Sequence, residues 1–136
     1  MNVAFFLNPK QNVAFLYNDF TLRQAIEKMK NCGYSAIPVI TRNGKYVGTV
    51  SDGDFLWKTL EVGENCSEKS LMKELEKIPV TEILKTDKYQ PASFSTDVEK
   101  LFNIVLNQNF VPVVDDTGNF SGIVTRKSVM QYLINI

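Results

Sequence analysis

The feature that most constrains the fold is a sequence pattern that occurs twice. The first copy reads GYSAIPVITRNGKYVGTVSDGD from residue 33 to residue 54, and the second reads NFVPVVDDTGNFSGIVTRKS from residue 109 to residue 128. With Pro38 placed on Pro112 the copies align without a gap, and the matched pairs include Gly44 with Gly118, Tyr46 with Phe120, Gly48 with Gly122, Val50 with Val124, and Ser51 with Thr125. Such a repeat predicts two similar structural units that cover each other's apolar surfaces.

Each copy has the pattern of a strand, a helix, a hairpin and a second helix. Apolar residues at helical spacing mark the first helices, which contain Leu22, Ala25, Ile26 and Met29 in one copy and Val98, Leu101, Phe102 and Val105 in the other. Asp19 and Ser95 are predicted to cap their N-termini. Apolar runs around glycine-containing turns predict the hairpins. The expected strands are 13–17, 36–40, 46–50, 92–94, 110–114 and 120–124, and the expected second helices are 54–60 and 128–134.

These elements predict an α+β fold made of two β-α-β-β-α repeats. A three-stranded sheet with helices on one side leaves its other face uncovered, so the two repeats are expected to pack sheet to sheet with pseudo-two-fold symmetry. The first repeat is placed at residues 1–61 and the second at 79–136. Between them, 62–78 is predicted to be a polar linker with a short helix before Pro79, anchored by its apolar residues Leu71, Met72 and Leu75.

Charge and composition exclude several classes of function. The chain of 136 residues has 15 basic and 15 acidic side chains, which argues against nucleic-acid binding by bulk electrostatics. It has no histidine, the commonest general base and metal ligand, so neither catalysis nor a metal site is expected. No apolar run is long enough to span a bilayer, and the N-terminus lacks the features of a signal peptide. With Cys32 and Cys66 predicted to be reduced thiols, a cytoplasmic location is expected.

Polar residues follow the second strand of each hairpin and are the candidates for ligand binding. In GTVSDGD, Ser51 ends a strand and Asp54 lies in the first turn of the next helix, where its carboxylate could accept hydrogen bonds from a ribose diol. The alternative is that it only caps the helix. In GIVTRKS, Arg126 and Lys127 could bind phosphate oxygens or could be a solvated pair. Cations at a helix N-terminus oppose the macrodipole, so a second interaction should favour them there.

The repeat with AIPVI or FVPVV followed by GTVSDGD or GIVTRKS resembles the cystathionine-β-synthase (CBS) domain family, in its form with a single pair of domains. The resemblance covers nearly the whole chain. It implies that adenine nucleotides such as AMP, ATP, S-adenosylmethionine or cyclic di-AMP bind in clefts between the repeats and alter the behaviour of a partner protein. It also implies a homodimer formed through the second helices, which contain Phe55, Trp57, Leu60, Met130, Leu133 and Ile134.

The resemblance assigns two composite sites to this chain. Site one would combine Asn12, Ala14, Ser35 and Ala36 with Thr125, Arg126, Lys127 and Ser128. Site two would combine Thr86, Asn109, Phe110 and Val111 with Ser51 and Asp54. No cofactor is implied, because the nucleotide acts as a regulatory ligand.

Each site departs from the family pattern in one respect. Site one has Ser128 where a ribose-binding carboxylate is expected, and site two has bulky Phe110 where the adenine would enter, so that it is either closed or stacks the base on the ring. Cyclic di-AMP has no cis-diol and carries two phosphates, which suits site one, and GYSAIP with TRK resembles the small CBS pairs of Gram-positive bacteria that bind it. The expected ligand is cyclic di-AMP or, equally, AMP, ADP or ATP.

The function expected from these observations is that of a regulatory module that senses an adenine nucleotide. An enzyme is disfavoured, because the chain lacks histidine and a paired-carboxylate cleft. The remaining alternative is a ligand-free interaction or dimerisation module, in which Ser51, Asp54 and Thr125 only cap helices.

Overall fold

The structure is a computed structural model that describes residues 2–84 and 89–136. Its helices are α1 (Val3–Phe6), α2 (Leu22–Cys32), α3 (Asp52–Gly63), α4 (Glu68–Leu75), α5 (Val98–Asn107) and α6 (Arg126–Ile134). Its strands are β1 (Asn8–Pro9), β2 (Leu16–Tyr17), β3 (Ala36–Ile40), β4 (Tyr46–Ser51), β5 (Ala92–Ser93), β6 (Phe110–Val114) and β7 (Phe120–Thr125). Short 3₁₀ turns lie at Lys10–Asn12 and Val80–Ile83. The α+β class and the order of elements in both repeats are confirmed.

Each repeat forms its own sheet. In the first repeat the strand order is β2-β3-β4, and in the second it is β1-β7-β6-β5. The strand that precedes the first helix of each repeat pairs in parallel with the strand that follows it, as a β-α-β crossover requires. β6 and β7 pair antiparallel as a hairpin. Both repeats therefore place a strand-to-helix turn, the location of the candidate motifs, at the end of β4 and of β7.

The chain divides into two compact units that do not coincide with the sequence repeats. The first-repeat unit contains Ala14–Asn43 and Val47–Thr86, and the second-repeat unit contains Met1–Val13, Gly44–Tyr46 and Asp87–Ile136. Each unit has a separate cluster of buried apolar side chains. The beginning of the chain therefore packs with the second repeat, although it lies beside the first in sequence.

The segment between the repeats contributes to the core of the first-repeat unit. Leu75 of α4 is 1% exposed and lies in the cluster that also contains Leu22 and Val50. Backbone hydrogen bonds hold the segment in place, since the Leu22 N–H donates to the Ile78 carbonyl at 2.8 Å. A short helix, α4, lies before Pro79, and Leu75, one of the three predicted apolar anchors, packs into the core of the first-repeat unit.

The N-terminal segment forms elements that the repeat pattern does not predict. Val3 and Phe6 of α1 are buried in the core of the second-repeat unit, where the Phe6 ring makes edge contacts with the rings of Phe102 and Tyr132. β1 then pairs antiparallel with β7. This segment supplies both an edge strand and core side chains to the second repeat.

Helix capping differs from the sequence prediction at the first helix of each repeat. Asp19 and Ser95 were the wrong choices, because Thr21 caps α2 in a capping box with Gln24, and Asp97 caps α5 by accepting the Lys100 N–H at 2.7 Å. Asp19 instead pairs with Arg42 at 2.9 Å, and this hydrogen bond lowers the pKa of the Asp19 carboxyl.

The remaining element boundaries shift by a few residues. The second helices begin at 52 and 126 rather than at 54 and 128, because the last residue of the preceding strand caps each helix. The first strands are shorter than expected, since only Leu16–Tyr17 and Ala92–Ser93 pair with a neighbour. The strands 36–40 and 110–114 have the predicted bounds.

Candidate functional site

The first strand-to-helix turn, at the end of β4, is closed by a reciprocal capping box. The Ser51 hydroxyl oxygen accepts the Asp54 N–H at 3.2 Å, and Oδ2 of Asp54 accepts the Ser51 N–H at 2.9 Å. Ser51 is buried and Asp54 is half-buried. Two N–H groups that the helix cannot satisfy internally are thereby satisfied, so the capping role considered for Asp54 is present in the structure.

Capping leaves part of the Asp54 carboxylate available. Within residues 2–84 and 89–136, no hydrogen bond reaches its Oδ1 atom. A carboxylate has lone pairs for several donors, so one oxygen can hold the turn while the other accepts a ligand hydroxyl. Helix capping and ligand binding are therefore compatible roles for this residue.

The second strand-to-helix turn, at the end of β7, has the same geometry but different chemistry. The Thr125 hydroxyl oxygen accepts the Ser128 N–H at 3.1 Å, and the Thr125 and Ser128 hydroxyls are 2.9 Å apart. Two hydroxyls thus occupy the places of the hydroxyl and carboxylate in the first turn. The second turn is closed without an acidic side chain.

Arg126 stabilises the end of the preceding helix. Its Nε donates to the Val105 carbonyl at 2.9 Å, and its two terminal nitrogens donate to the Leu106 carbonyl at 3.3 Å and to Oδ1 of Asn109 at 3.4 Å. Val105 and Leu106 lie in the last turn of α5, where carbonyls lack intrahelical partners and where a positive charge is favoured by the helix dipole. This contact is the second interaction that accounts for an arginine at the N-terminus of α6.

Lys127 is the cation of the second turn that has no such structural role. It is exposed, and in the part of the chain that the structure describes its ammonium group makes no hydrogen bond or ion pair. Of the two basic residues proposed for phosphate binding, Lys127 is therefore the one whose charge remains fully available.

These contacts predict that Arg126→Ala destabilises the protein even without a ligand. Loss of hydrogen bonds to the α5 carbonyls should lower the free energy of unfolding by about 1 kcal/mol, whereas Lys127→Ala should change it by less than about 0.5 kcal/mol. Urea unfolding followed by circular dichroism in nucleotide-free buffer measures both. Equal stability of Arg126→Ala and the wild type would contradict the capping role.

The small residues of the first repeat lie beside its strand-to-helix turn. The Ser35 carbonyl accepts the N–H of Asp52, the first residue of α3, at 2.8 Å. Ser35 is exposed and Ala36, the first residue of β3, is buried. Ala14 belongs to the same unit, but Asn12 belongs to the other, in the 3₁₀ turn that packs against β7.

The corresponding residues of the second repeat lie in a more crowded environment. Phe110 is 7% exposed, and its ring lies 5.5 Å from the ring of Tyr89 between centroids. Val111 is fully buried, and Asn109 is exposed and contacts Arg126. The Phe110 ring is thus packed inside the second-repeat unit, and the choice for site two between a closed site and a ring that stacks on the base stays a prediction.

One residue with a clear structural role here was not identified from the sequence. The buried side chain of Gln108 accepts the Gln90 N–H at 3.0 Å and donates to the carbonyls of Gln90 and Phe110, both at 2.9 Å. It thereby ties the backbone at Gln90 to the backbone at Phe110. A polar residue two positions before a fully apolar strand was the only signal in the sequence.

The candidate residues fall into two groups according to the compact unit that holds them. The first-repeat unit holds Ala14, Ser35, Ala36, Ser51 and Asp54, and the second-repeat unit holds Asn12, Asn109, Phe110, Val111, Thr125, Arg126, Lys127 and Ser128. Thr86 lies outside the described residues. The pairing of residues across the repeats, as sites one and two require, stays a prediction.

Two further kinds of feature were searched for in the described parts of the chain. No group of three or more cysteine or acidic residues there could hold a metal ion. Among the described helices, none combines the length and the apolar character that crossing a membrane requires.

Comparisons with known proteins match the two-repeat architecture. The family model for the CBS domain matches twice, at residues 6–60 and 80–135. Cyclic di-AMP receptor B of Bacillus subtilis is 27% identical, over 96% of this chain and 85% of its own length. CBSX2, a chloroplastic CBS domain-containing protein of Arabidopsis thaliana, is 28% identical over 98% of this chain, which spans only 64% of that relative's length.

Solved structures show the same fold. The CbpB protein of Listeria monocytogenes in complex with c-di-AMP superimposes with a TM-score of 0.81 and 27% identity, covering 98% of this chain and 95% of that one. CBSX2 in complex with AMP gives a TM-score of 0.77 and 26% identity, with 98% and 96% covered. The repeated strand-to-helix turns, the two sheets and the twofold match of the family model together establish that this chain belongs to the CBS domain family, of which it contains two domains.

Proposed function

We propose that this protein is a regulatory module that binds an adenine nucleotide and signals its presence to a partner protein. The observation that carries the proposal is that both strand-to-helix turns keep polar groups that folding does not use. Within the described residues, Oδ1 of Asp54 in one turn accepts no hydrogen bond, and the ammonium group of Lys127 in the other donates none. A carboxylate oxygen suits a ribose hydroxyl, and an ammonium suits a phosphate.

The proposal extends to the ligand class because of what similar proteins bind. One relative is a cyclic di-AMP receptor, one similar structure contains c-di-AMP and another contains AMP. Among these, cyclic di-AMP suits the second turn of this chain best, because Ser128 supplies no carboxylate for a free ribose diol. AMP, ADP or ATP would instead depend on Asp54.

The proposed module acts by binding rather than by catalysis, and the nucleotide is its regulatory ligand rather than a cofactor. We further propose that it forms a homodimer, that it works in the cytoplasm, and that nucleotide binding changes a surface that the regulated partner recognises. Such coupling requires only that the nucleotide bind two conformations with different affinity.

A thermal-shift series tests the nucleotide-binding proposal. The wild type is heated with AMP, ADP, ATP, S-adenosylmethionine or cyclic di-AMP at increasing concentrations. A ligand at about 100 times its dissociation constant should stabilise the protein by about 2.7 kcal/mol, which raises the melting temperature by several degrees. If none of the five raises the melting temperature, the proposal is wrong.

Two variants distinguish the two turns. Lys127→Ala should weaken cyclic di-AMP binding about ten-fold or more, as expected for one charge-assisted contact of about 1.5 to 3 kcal/mol. Asp54→Ser copies the chemistry of Ser128 and should weaken AMP, ADP or ATP without weakening cyclic di-AMP. Lys69→Ala, an exposed lysine in α4, is the matched control. Isothermal titration calorimetry gives the affinities. Unchanged affinity in Lys127→Ala and in Asp54→Ser, or an equal loss of affinity in the control, would contradict the assignment.

A ligand-free interaction module remains the second candidate, and exposed apolar residues favour it. Trp57 is 75% exposed, and Leu56 and Leu60 on the same helix are 59% and 53% exposed. Surface apolar residues that cluster on one helix mark an interaction site. This candidate predicts association of the protein without any effect of the five nucleotides on its melting temperature.

A further inference from the structure

A short segment of similar sequence packs beside the second helix of each unit. It reads VTEIL at 80–84 in the first-repeat unit and VAFFL at 3–7 in the second-repeat unit, where it contains α1. Each segment begins with a fully buried valine, Val80 or Val3, and ends with a leucine whose side chain lies beside a glycine of β4 or β7. The two segments are therefore equivalent, and their contacts with α3 and α6 can be compared.

In the first-repeat unit an ion pair joins the segment to the helix. Nζ of Lys58, on α3, lies 3.5 Å from Oε2 of Glu82 in the segment and 3.5 Å from Oε1 of Glu61 on the helix. The Lys58 side chain is only 22% exposed, so it lies largely against the protein. The equivalent residues of the second-repeat unit are Tyr132, Phe5 and Asn135. All three charges are thus absent from the second location.

The second location is an open groove of about 450 Å³ between α1 and α6, which we call the α1–α6 groove. Phe5 and Phe6 line it from α1, and Gln131, Tyr132 and the helix-capping Asn135 line it from the side of α6. Among the described residues that line the groove, none carries a charge. Its volume is within the range of sites that bind small molecules.

The rings of the groove leave an aromatic surface open to solvent. The Phe5 ring makes edge contacts with the rings of Phe6 and Tyr132, at centroid distances of 5.2 and 5.4 Å and interplanar angles of 78° and 83°. These contacts hold the ring in a defined orientation, yet Phe5 is 63% exposed. A planar ligand that covered this ring would remove apolar surface from water and could stack on it.

Two side-chain amides lie beside the rings. Gln131 and Asn135 are four residues apart, so they lie on the same side of α6. Both are exposed, and across residues 2–84 and 89–136 neither side-chain amide makes a hydrogen bond. Each amide offers an acceptor oxygen and two donor hydrogens, the combination with which asparagine and glutamine recognise the edges of bases.

We propose that the α1–α6 groove is a further ligand site, which binds an uncharged nucleobase or nucleoside by stacking on Phe5 and by hydrogen bonds to Gln131 and Asn135. A base has a planar face for the ring and an edge of donors and acceptors for the amides. The absence of a charged side chain from the described lining favours a ligand without phosphate. This site goes beyond the proposed function, because it uses neither Asp54 nor Lys127.

Nuclear magnetic resonance of the full chain labelled with ¹⁵N tests the proposal. Adenosine, guanosine, cytidine and uridine are titrated separately, followed by their 5′-monophosphates. At least one nucleoside should shift the side-chain NH₂ signals of Gln131 and Asn135 to saturation, and its monophosphate should bind no more than about five-fold more tightly. The proposal is overturned if no nucleoside shifts these signals, or if the phosphate strengthens binding by more than that factor.

Variants of the groove test which side chains hold the ligand. Phe5→Ala should weaken nucleoside binding at least about five-fold, because one stacking contact is lost. Asn135→Ala should weaken it at least about three-fold, and this variant keeps the test decisive if Phe5→Ala does not fold. Asn103→Ala, at an exposed asparagine of α5, is the matched control and should change the affinity less than two-fold. Equal losses in the two asparagine variants would overturn the proposal.

A double variant uses the difference between the two units. Phe5→Glu with Tyr132→Lys copies the pair formed by Glu82 and Lys58, so it should abolish nucleoside binding while circular dichroism shows a folded protein. Undiminished binding in this folded variant would contradict a site in the α1–α6 groove.

The outcomes separate this inference from the proposed function. Ser128 lines the groove and also belongs to site one, so variants of other residues make the distinction. Lys127→Ala and Asp54→Ser should leave nucleoside binding unchanged within two-fold. If either weakens it as much as Asn135→Ala does, the nucleoside occupies a nucleotide site and the groove proposal is overturned. A thermal-shift series without any effect of the five nucleotides would overturn the proposed function alone.

Discussion

Replacing Gly122 with alanine is expected to be among the most destabilising single changes in this chain, lowering the free energy of unfolding by about 3 kcal/mol or more. Gly122 has φ 148°, a backbone conformation that residues with a side chain rarely adopt. A Cβ atom there would also overlap the Asn8 carbonyl oxygen and lie 3.0 Å from Cδ1 of Leu7. The N-terminal segment would have to leave β7, which would expose Val3 and Phe6 to water.

The repeat provides a matched control for this prediction. Gly48 occupies the equivalent position, with φ 155°, but an added Cβ would meet only side-chain atoms of Leu84, at 2.8 Å and more. Backbone strain is common to both sites, whereas the Leu84 side chain can rotate away and the β1 backbone cannot. Gly48→Ala should therefore lower the free energy of unfolding less than Gly122→Ala does. Gly63→Ala, with open space around the added Cβ, should lower it only slightly. Urea unfolding of the three variants measures the order, and a loss for Gly48→Ala equal to that for Gly122→Ala would contradict the overlap with β1.

The second large effect is expected from Leu75→Ala, in the segment between the repeats. Leu75 is 1% exposed in the core of the first-repeat unit, so its truncation removes apolar burial and leaves a cavity. Such changes typically lower the free energy of unfolding by about 2 to 5 kcal/mol. A true solvated linker would tolerate the change, so this variant tests whether α4 is part of the folded unit.

Met72→Ala is the control for Leu75→Ala, since Met72 lies on the same helix and is 37% exposed. Its truncation should cost less than about 1 kcal/mol, because little buried surface is lost. Unfolding by urea followed by circular dichroism reports both variants. If both variants lower the free energy of unfolding by a similarly small amount, the α4 helix contributes little to the core.

The repeat in the sequence was sufficient to predict the fold of each half. The central strands 36–40 and 110–114 have the predicted bounds because each is a continuous apolar run that is buried over nearly its whole length. Predictions failed where two polar residues competed for one cap. Thr21 and Asp97 lie closer to their helices than Asp19 and Ser95, and only backbone geometry decides which side chain reaches a free N–H.

The candidate site could be predicted only as a set of residue types. Ser51 and Asp54 were identified because a hydroxyl and a carboxylate at the end of a strand can either cap a helix or bind a ligand, and the structure has the cap. Arg126 and Lys127 are adjacent and look equivalent in sequence. The structure separates them, because Arg126 reaches the carbonyls at the end of α5 and Lys127 does not.

The sequence by itself determined the two β-α-β-β-α repeats and the positions of their strand-to-helix turns, because local apolar spacing and turn residues control these features. Only the tertiary structure decided that residues 2–13 pack with the second repeat, that Leu75 rather than Met72 is the buried anchor of α4, and that the Phe110 ring is buried beside Tyr89. These features depend on contacts between residues far apart in the chain. No local pattern specifies such contacts, because their free energy comes from the shape and burial of surfaces that exist only after folding.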